Sequence, residues 1–448
     1  MTSTPAITSS VENDPVVISG MAIEAPGGID TPRAFWNALA DGRELIGPFP
    51  RDRDWPIDEL LSLSNLEGWG RVSDAGGFIT DATVFDPAFY GVTQREAIAM
   101  DPQQRVGMRL AWKALEHAGV NPATVDGSEA ACFVGASYTE YGPRVAQVHA
   151  HSGHRIVGTG QLGIAGRISH QLGLIGPSMC IDSACASSLS AVHLAASAIR
   201  ADECEWALAG AVCVLGSPGA FYEFSRVHAL DPDGHCRSYS DEANGTLWGE
   251  AAGMVVLERE SRARALGHRI YGRIMAIRTN HNGGGKPILV PRGRAQAKLV
   301  AATIAASGVD PADIGMIEGH GTGTRAGDPL EIMALQSTYG AGGSSAFLGS
   351  SKSNAGHAQA AAGIVGLTKL LLSGQHGHIP PTLFADNPTT KVDWSMTGIR
   401  LATKLHPWEP KNGIRYGAVS SFGAGGANAH AIIAMPASDS EGEEGDDV

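Results

Sequence analysis

A cysteine set among very small side chains is the first residue of this chain that could do chemistry. Cys185 stands in the stretch IDSACASS, residues 181–188, where a strand-like segment gives way to a helical pattern. A helix N-terminus carries partial positive charge and unpaired N–H groups, which lower the pKa of a thiol and can hold an oxyanion. The small neighbours then leave room for a substrate beside the sulfur. A lone cysteine is more often a small buried hydrophobic residue, so Cys185 needs chemical partners elsewhere.

Two histidines in glycine-rich segments supply such partners. His320 lies in EGHGTGTRAGDPLE together with Thr322 and Thr324, and His357 lies in SSKSNAGH. Each segment follows a predicted strand, and its glycines let the backbone come close to a ligand. A third stretch, SSFGAGGANAH, places Ala424 among glycines in a loop whose N–H groups could face a substrate oxygen. One thiol, two imidazoles and a loop of N–H donors form the inventory of a catalytic site.

The elements that must position these residues alternate between strands and helices. VVISGMAI, ACFVGAS, WALAGAVCVL and AAGMVVLER indicate strands in the first part of the chain, and MIEGHG, AFLGSSKS and ANAHAIIAM indicate strands in the second. Helical patterns separate them, which predicts an α/β fold with mostly parallel sheets covered by helices. We predict two similar halves, residues 15–266 with the nucleophile and residues 267–436 with both histidines. Residues 1–14 and the acidic residues 437–448 are predicted to be disordered tails.

Composition and charge exclude several classes of partner. Lys and Arg number 33 against 46 Asp and Glu, a net charge of −13, which disfavours nucleic acid and anionic membranes. The N-terminal residues resemble no secretory signal and no segment is apolar enough to span a bilayer, so we expect a cytoplasmic protein. The six cysteines lack CxxC spacing, which predicts reduced thiols rather than disulfides or a zinc site.

Three further signals are weaker. VHAHSGH offers histidines at spacings that a metal could use, but without a cysteine or an acidic partner nearby we expect solvated loop residues at His149, His151 and His154. A small basic group could meet an acidic partner or a phosphate, although a solvated face is the simpler interpretation: Lys286, Arg292 and Arg294. The acidic tail could dock a partner, although a tail that aids solubility is the simpler interpretation.

The motifs DSACASS, EGHGTGTRAGDP, KSNAGH and SSFGAGGANAH, in this order and at these separations, resemble those of type I polyketide synthase ketosynthases and of the condensing enzymes of fatty-acid synthesis. FDPAFYGVTQREAIAMDPQQR and LDPDGHCRSYS extend the resemblance over most of the chain. It implies a thiolase-like fold of five layers, αβαβα, with two similar halves, and a homodimer. The opening DPVVISGMAIEAPGG makes the chain similar to the stand-alone ketosynthases of mycobactin-type and nocobactin-type siderophore assembly lines.

The resemblance also implies catalytic roles. Cys185 becomes the nucleophile that takes an acyl group from the phosphopantetheine thioester of an acyl carrier protein. His320 and His357 become the N–H donors that stabilise the enolate formed when a malonyl-type extender loses CO₂. The backbone N–H groups of Cys185 and Ala424 become the oxyanion hole.

Supporting roles follow from the same resemblance. Lys352 is expected to pair with Glu331 and to orient the histidines, and Thr322 and Thr324 are expected to bind the pantetheine arm. Alanine at position 424, where fatty-acid enzymes often have phenylalanine, predicts a wide acyl entrance. No bound metal or cofactor is expected, because the substrates arrive on the phosphopantetheine of a carrier protein.

The chain ends soon after the last strand of the resemblance, so we expect an enzyme that acts in trans. Its acyl carrier protein, a trans-acting acyltransferase and the other peptide or polyketide synthase subunits would then be separate proteins. A degradative thiolase would need a second cysteine near the C-terminus, and the last cysteine is Cys236. A non-catalytic binding subunit would lack Cys185, and a non-elongating ketosynthase acting as a transacylase or gate would typically lack His320. These last two remain the alternatives.

Overall fold

A computed structural model of the chain describes residues 14–143, 146–150, 152–285 and 287–437. The strands of this part are β1 Val16–Glu24, β2 Ala130–Gly135, β3 Ser178–Ile181, β4 Trp206–Cys213, β5 Ala251–Arg259, β6 Gly272–His281, β7 Ile314–Glu318, β8 Phe347–Gly349, β9 His378–Ile379, β10 Arg400–Leu401, β11 His406–Pro407, β12 Ile414–Phe422 and β13 Ala427–Pro436. The helices are α1 Pro32–Ala40, α2 Ile57–Ser62, α3 Gln94–Ala99, α4 Pro102–His117, α5 Arg155–Thr159, α6 Leu162–Leu172, α7 Ser187–Arg200, α8 Gly219–Arg226, α9 Glu260–Leu266, α10 Gly293–Ser307, α11 Gly327–Leu335, α12 Lys352–Ala355 and α13 Ala362–His376.

The strand order shows an internal duplication. The large sheet has the order β10-β8-β7-β12-β13-β6-β1-β5-β4-β2-β3, and β9 pairs with β11 separately. Strands β1 to β5 follow the order third, second, fourth, fifth, first, and β6, β7, β8, β12 and β13 repeat that order. The halves meet where β1 pairs with β6, with Val17 opposite Arg273. The prediction of two similar halves is confirmed.

The prediction of mostly parallel sheets is wrong. Among the strand pairs of the large sheet in the described residues, β10–β8, β8–β7, β7–β12, β4–β2 and β2–β3 are parallel, and the other five pairs are antiparallel. Alternation of strands and helices does not set strand direction. The short turn at residues 423–426, for example, joins β12 to β13 and forces these two strands to run antiparallel.

Helices cover the sheet on its outer faces and fill the space between its halves. α4 contacts β1 and β5, and α6 contacts β2 and β3. α7 lies on β2 and β4 and contacts α13, which lies on β12 and β13. α10 covers β6 and β13 and contacts α11. The layers therefore run helix, strand, helix, strand, helix, as predicted, and the two central helices bring the halves together.

The central helix α13 is buried from Ala362 to Gly374. A helix that is buried on all sides suits the middle layer of a fold, where no face meets water. None of the helices in the described part of the chain has both the length and the hydropathy needed to cross a bilayer.

Several predictions concern residues that the structure leaves undescribed. The predicted tails lie outside the described residues except for Asp14 and residue 437. The carboxylate of Asp14 accepts a hydrogen bond from the backbone N–H of Ser261 at 3.1 Å. Lys286, His151 and the acidic residues after residue 437 also lie outside the described part. The six cysteines are all free thiols, in agreement with the prediction.

Candidate active site

A tight turn presents Cys185 between a strand and a helix. β3 ends at Ile181 and α7 begins at Ser187. The hydroxyl of Ser187 accepts from the N–H of Ser183 at 2.8 Å and donates to the carbonyl of Ala184 at 2.6 Å. Ala184 has φ +53°, a left-handed backbone conformation that residues other than glycine seldom adopt. The turn therefore holds the thiol just ahead of the α7 N-terminus.

The small residues after Cys185 serve packing, which corrects the expectation that they leave room for substrate. Ser187 and Ser188 are fully buried. A Cβ atom on Gly135 of β2 would lie 2.8 Å from the backbone of Ser187, and one on Gly363 of α13 would lie 2.7 Å from the Ser188 hydroxyl. The start of α7 is thus wedged between β2 and α13, where larger side chains would not fit.

The structure brings the thiol and both imidazoles together. Cys185 Sγ lies 3.1 Å from His357 Nε2, and the ligating atoms of Cys185, His320 and His357 all lie within 4.8 Å of one another. The two imidazole rings meet edge to face, with centroids 5.4 Å apart. All three residues line one pocket of about 170 Å³. Thr322, Thr324 and Ala424 lie in its wall.

Backbone donors fix which ring nitrogen of each histidine carries the hydrogen. His320 Nδ1 accepts from the N–H of Phe422 at 3.4 Å, and His357 Nδ1 accepts from the N–H of Gln359 at 3.2 Å. A neutral imidazole that accepts at Nδ1 carries its hydrogen on Nε2. Both Nε2–H groups are therefore free to donate into the pocket, and that of His357 faces the sulfur.

Both imidazoles are held neutral. Burial lowers the pKa of His320 well below its usual range, with further lowering from the charge of Lys352 and from His357. Burial and the charge of Lys352 likewise lower the pKa of His357 well below its usual range. At neutral pH the site therefore offers two uncharged N–H donors, which can stabilise a developing oxyanion by hydrogen bonding.

Burial raises the pKa of the Cys185 thiol, so the predicted lowering of this pKa is wrong in sign. Three effects act the other way: the N–H of Ala424, the charge of Lys352 and the N–H of Cys185 itself all favour the thiolate. Desolvation of the charged form outweighs them. The two N–H groups that reach the sulfur are those predicted to form the oxyanion hole. The Ser421 hydroxyl donates to the Cys185 carbonyl at 2.5 Å and ties β12 to this turn.

The predicted ion pair between Lys352 and Glu331 is not found among the described residues. The Glu331 carboxylate instead accepts from the N–H of His320 at 2.6 Å, the N–H of Gly321 at 2.9 Å and the Tyr239 hydroxyl at 3.0 Å. Burial raises the pKa of Glu331, and these donors and the charge of Lys352 oppose that rise. Glu331 therefore orients His320 through its backbone, whereas Lys352 acts on the site through its charge.

A different lysine forms the buried ion pair. Lys369 Nζ of α13 lies 2.8 Å from Glu318 Oε2 at the end of β7, and both side chains are almost fully buried. Glu318 Oε1 also accepts from the N–H of Ser351, directly before α12, at 2.6 Å. This carboxylate therefore links the strand that leads to His320 with the helix that begins at Lys352.

A third buried carboxylate, that of Asp328, shapes the loop that carries the two threonines. Asp328 accepts from the backbone N–H groups of Tyr239 at 2.8 Å, Gly323 at 3.2 Å and Thr324 at 3.3 Å. Burial raises the pKa of Asp328 to about 7 despite these donors. The hydroxyls of Thr322 and Thr324 lie 3.2 Å apart in the pocket wall, where an incoming chain could reach them.

The thiol and the imidazoles are close enough to act as three ligands of a metal ion, but their hydrogen bonds oppose it. A metal needs the lone pair of Nε2, and here Nε2 carries the hydrogen. If that hydrogen moved to Nδ1, it would face the backbone N–H of Phe422 or of Gln359, two donors with no acceptor between them. The donor set therefore favours proton-bearing imidazoles over metal ligation.

The weaker candidates lie elsewhere. His149 is exposed and His154 directly precedes α5, and neither is among the residues that line the pocket. Arg292 directly precedes α10, and Arg294 lies exposed in its first turn.

Sequence reasoning missed residues that hold the thiol, the imidazoles and the surrounding loops in place. They are Tyr239, Asp328, Gln359, Ser421 and Phe422. All but Gln359 lie inside the motifs that carried the resemblance, and Gln359 follows KSNAGH by two residues. Their signal was membership of a motif, because roles carried by a backbone N–H or a buried carboxylate have no residue type of their own.

Comparison with known proteins identifies the family. Residues 13–263 match the family described as Beta-ketoacyl synthase, N-terminal domain, and residues 271–386 match Beta-ketoacyl synthase, C-terminal domain. The chain is 42% identical over 437 residues to polyketide synthase GfsE of Streptomyces halstedii, an alignment that covers 96% of this chain and 12% of that protein. It is 41% identical over 425 residues to mycoketide-CoA synthase of Mycobacterium tuberculosis, covering 94% of this chain and 10% of that protein. The chain thus corresponds to a small part of each relative.

Solved structures agree on the fold. The oxazolomycin ketosynthase domain OzmH KS7 of Streptomyces albus JA3453 matches with a TM-score of 0.87 and 36% identity, over 96% of this chain and 76% of that chain. The ketosynthase from module 6 of the bacillaene synthase of Bacillus subtilis 168 matches with a TM-score of 0.85 and 33% identity, over 94% of this chain and 72% of that chain. The fold is therefore the thiolase-like fold of ketosynthases, and the chain belongs to the beta-ketoacyl synthase family as a ketosynthase of the polyketide synthase type.

Proposed function

We propose that this chain catalyses decarboxylative Claisen condensation between an acyl group bound to Cys185 and a malonyl-type extender on an acyl carrier protein. The observation that carries the proposal is the meeting of one thiol and two neutral Nε2–H donors in one pocket. A thiol alone would suit acyl transfer. The pair of neutral donors suits the enolate that a condensation must form.

The first step transfers the acyl group. The Cys185 thiolate attacks the thioester carbonyl of the acyl carrier, a new C–S bond forms, and the carrier thiol leaves with the proton that Cys185 gave up. The oxyanion of the tetrahedral intermediate needs two N–H donors, and the backbone N–H groups of Cys185 and Ala424 both act on the sulfur. Burial raises the pKa of Cys185, so only a small fraction of the thiol is the reactive thiolate at neutral pH.

The second step forms the carbon–carbon bond. The malonyl extender loses CO₂, and the electron pair of the broken C–C bond becomes an enolate on the carrier thioester. The Nε2–H groups of His320 and His357 donate to the enolate oxygen. The enolate carbon then attacks the Cys185 thioester, the C–S bond breaks, and Cys185 is regenerated as the β-ketoacyl carrier leaves.

The thioesters would reach the sulfur along the pocket wall that carries Thr322 and Thr324. Their hydroxyls can bond a phosphopantetheine arm, and the open side of the pocket at Ala424 supports a broad acyl entrance. We further propose that the carrier, the extender-loading acyltransferase and the neighbouring synthase subunits act in trans in a hybrid polyketide–peptide pathway of the siderophore type. The similarity of the segment DPVVISGMAIEAPGG supports this narrower assignment.

A homodimer is part of the proposal. β3 stands at the end of the large sheet, and its Met179 is 50% exposed. Ile175, shortly before β3, is 67% exposed. An apolar edge strand with unpaired N–H and C=O groups is a template for pairing with another strand. A second copy of β3 would cover both features.

The test separates condensation from acyl transfer alone. Incubated with an acyl carrier and then with malonyl carrier, the purified protein should yield the β-ketoacyl carrier, detected by the mass of the carrier. His320→Ala should leave acylation of Cys185 within about twofold and slow condensation by about 100-fold, as expected for the loss of one oxyanion donor. Cys185→Ala should abolish product and serves as the control.

Two outcomes would decide against the proposal. An acyl adduct on wild-type Cys185 without any condensation would favour the transacylase or gate. No adduct at all would favour a non-catalytic binding subunit.

A further inference from the structure

A glutamine with an unsatisfied amide oxygen is among the residues that line the active-site pocket. Gln296, in the first turn of α10, is 3% exposed and lines the pocket with Thr322 and Thr324. Its Oε1 is shielded from solvent and has no hydrogen-bond donor among the described residues. Since almost all buried polar atoms in folded proteins are paired, an orphan acceptor at a pocket points to a donor that arrives with a ligand.

The segment around Gln296 is held firmly, so the orphan does not arise from a loose loop. Asn428 Nδ2 donates to Asn280 Oδ1 at 2.9 Å and to Asn282 Oδ1 at 3.0 Å. Asn280 Nδ2 in turn donates to the carbonyl of Ala295, the residue before Gln296, at 2.8 Å. This network fastens the start of α10 to β6 and β13 and fixes the backbone that carries the Gln296 side chain.

The chemistry of the side chain narrows the ligand. A carboxamide carries one acceptor and two N–H donors on one plane, so it complements a secondary amide, which offers one N–H and one C=O. Thr246 Oγ1 is another buried atom of the pocket wall without a partner. A hydroxyl rotates to suit many partners and so selects no one ligand.

We propose that Gln296 binds a secondary amide of the thioester substrate, on the phosphopantetheine arm or within an amide-bearing acyl chain. This inference rests on the proposed function and adds to it a residue that recognises substrate. The two threonines offer hydroxyls on the loop before α11, and Gln296 offers an amide from α10. The amide N–H of the substrate donates a hydrogen bond to the unpaired Oε1 of Gln296. Gln296 takes no part in making or breaking covalent bonds.

The test compares three synthetic acyl donors in the acylation of Cys185, followed by intact mass. They are hexanoyl pantetheine, hexanoyl butanethiol, which has no amide, and a butanethiol thioester of an N-acetylated amino acid, which has an amide only in the acyl chain. Gln296→Met keeps the length of the side chain and removes its hydrogen bonds. Lys298→Met, an exposed change on the same helix, is the matched control.

For Gln296→Met we expect kcat/KM to fall about tenfold with an amide-bearing donor and to stay unchanged with hexanoyl butanethiol, the loss expected for one hydrogen bond. A loss confined to hexanoyl pantetheine assigns the arm, and a loss confined to the amino-acid donor assigns the acyl chain. Equal rates for wild type and Gln296→Met with all three donors, or an equal loss with all three, would overturn the inference.

Binding and stability give readouts that do not need turnover. The S-butyl thioether of pantetheine cannot react. If Gln296 binds the pantetheine arm, this thioether should bind wild type more tightly than Gln296→Met in calorimetry. If Gln296 binds the acyl chain, the matching thioether of the N-acetylated chain should show that difference instead. If wild type and Gln296→Met bind each thioether equally, the inference is wrong, and this result does not depend on acylation of Cys185. A failure of every donor to acylate Cys185 would contradict the proposed function separately.

The unliganded Gln296→Met protein should melt no lower than wild type, because it loses an unpaired polar atom. A lower Tm would indicate a structural role instead.

Discussion

Opposing effects act on the protonation of the three proposed catalytic residues, Cys185, His320 and His357. Burial makes the imidazoles poor bases and the thiol a weak acid, which keeps all three neutral before substrate arrives. Lys352 favours both of the forms that catalysis needs, because its charge lowers the pKa of Cys185, His320 and His357 alike. Lys352 is 4% exposed, so its charge acts through a medium that screens it weakly. It is therefore a positioning residue for charge rather than a group that contacts substrate.

Replacement of Lys352 by methionine should raise the pKa of Cys185 further above its ordinary value. The thiolate is the reactive form, so alkylation of Cys185 by iodoacetamide should accelerate about tenfold per pH unit until that pKa is passed. We expect the profile of Lys352→Met to lie about one pH unit to the alkaline side of wild type, the size expected for one nearby charge. Lys298→Met, which changes an exposed lysine, should leave the profile in place. Coincident pH profiles for all three proteins would show that the charge of Lys352 does not act on Cys185.

At the scale of elements, the site depends on close contact between segments from the two halves. The β12–β13 turn presses on the turn before α7: a Cβ atom on Gly423 would lie 2.4 Å from the carbonyl oxygen of Ser183. A Cβ atom on Gly425, two residues later, would have no atom within 4 Å. One turn therefore contains a glycine that cannot accept a side chain without movement and a glycine that can.

Gly423→Ala should move the Ala424 N–H away from the sulfur and slow acylation of Cys185 by about tenfold to 100-fold, since an oxyanion donor displaced from its acceptor loses most of its effect. Gly425→Ala should acylate at the wild-type rate. Single-turnover acylation followed by intact mass measures both, and circular dichroism checks that each variant is folded. A Gly423→Ala protein as fast as Gly425→Ala would show that Ala424 is not an oxyanion donor.

Sequence patterns predicted these elements unevenly, for physical reasons. Apolar runs marked β1, β2, β4 and β5 because a strand buried on both faces must be apolar throughout. Strand direction left no such mark. The partner of Lys352 was mispredicted for a related reason: an ion pair is decided by which segments meet in space, and the apolar helical pattern around Lys369 does not indicate its partner Glu318. The thiol and both imidazoles were predicted because their motifs need particular residue types.

Over the whole molecule, duplication explains where the site lies. Cys185 lies just ahead of α7 in the first half, and His357 lies shortly before α13 in the second. These two central helices contact each other, so the thiol of the first half faces the two histidines of the second. The same sheet leaves β3 as a free edge at one end. A fold of this kind can satisfy that edge by pairing with its own copy, which places two active sites in one assembly.

Met179→Glu should weaken the proposed dimer, because it would put a charge on each copy of β3 where the two copies are proposed to meet. We expect wild type to sediment as a dimer and Met179→Glu to shift toward the monomer at micromolar concentration in analytical ultracentrifugation. Met396→Glu, at a residue that is 73% exposed in another part of the surface, is the control and should stay dimeric. A wild-type monomer, or a dimer that Met179→Glu leaves intact, would place the interface elsewhere or remove it.

The proposed condensation through Cys185 is tested most directly by the time course of the acyl group on Cys185 during a single turnover. Wild-type protein is loaded from an acyl carrier, mixed with malonyl carrier and quenched at intervals, and intact mass follows the protein and the carrier together. The proposed condensation requires that the Cys185 adduct disappears at the rate at which the β-ketoacyl carrier appears, with CO₂ released in equal amount. Product that forms while the adduct persists, or an adduct mapped to another of the six cysteines, would contradict it.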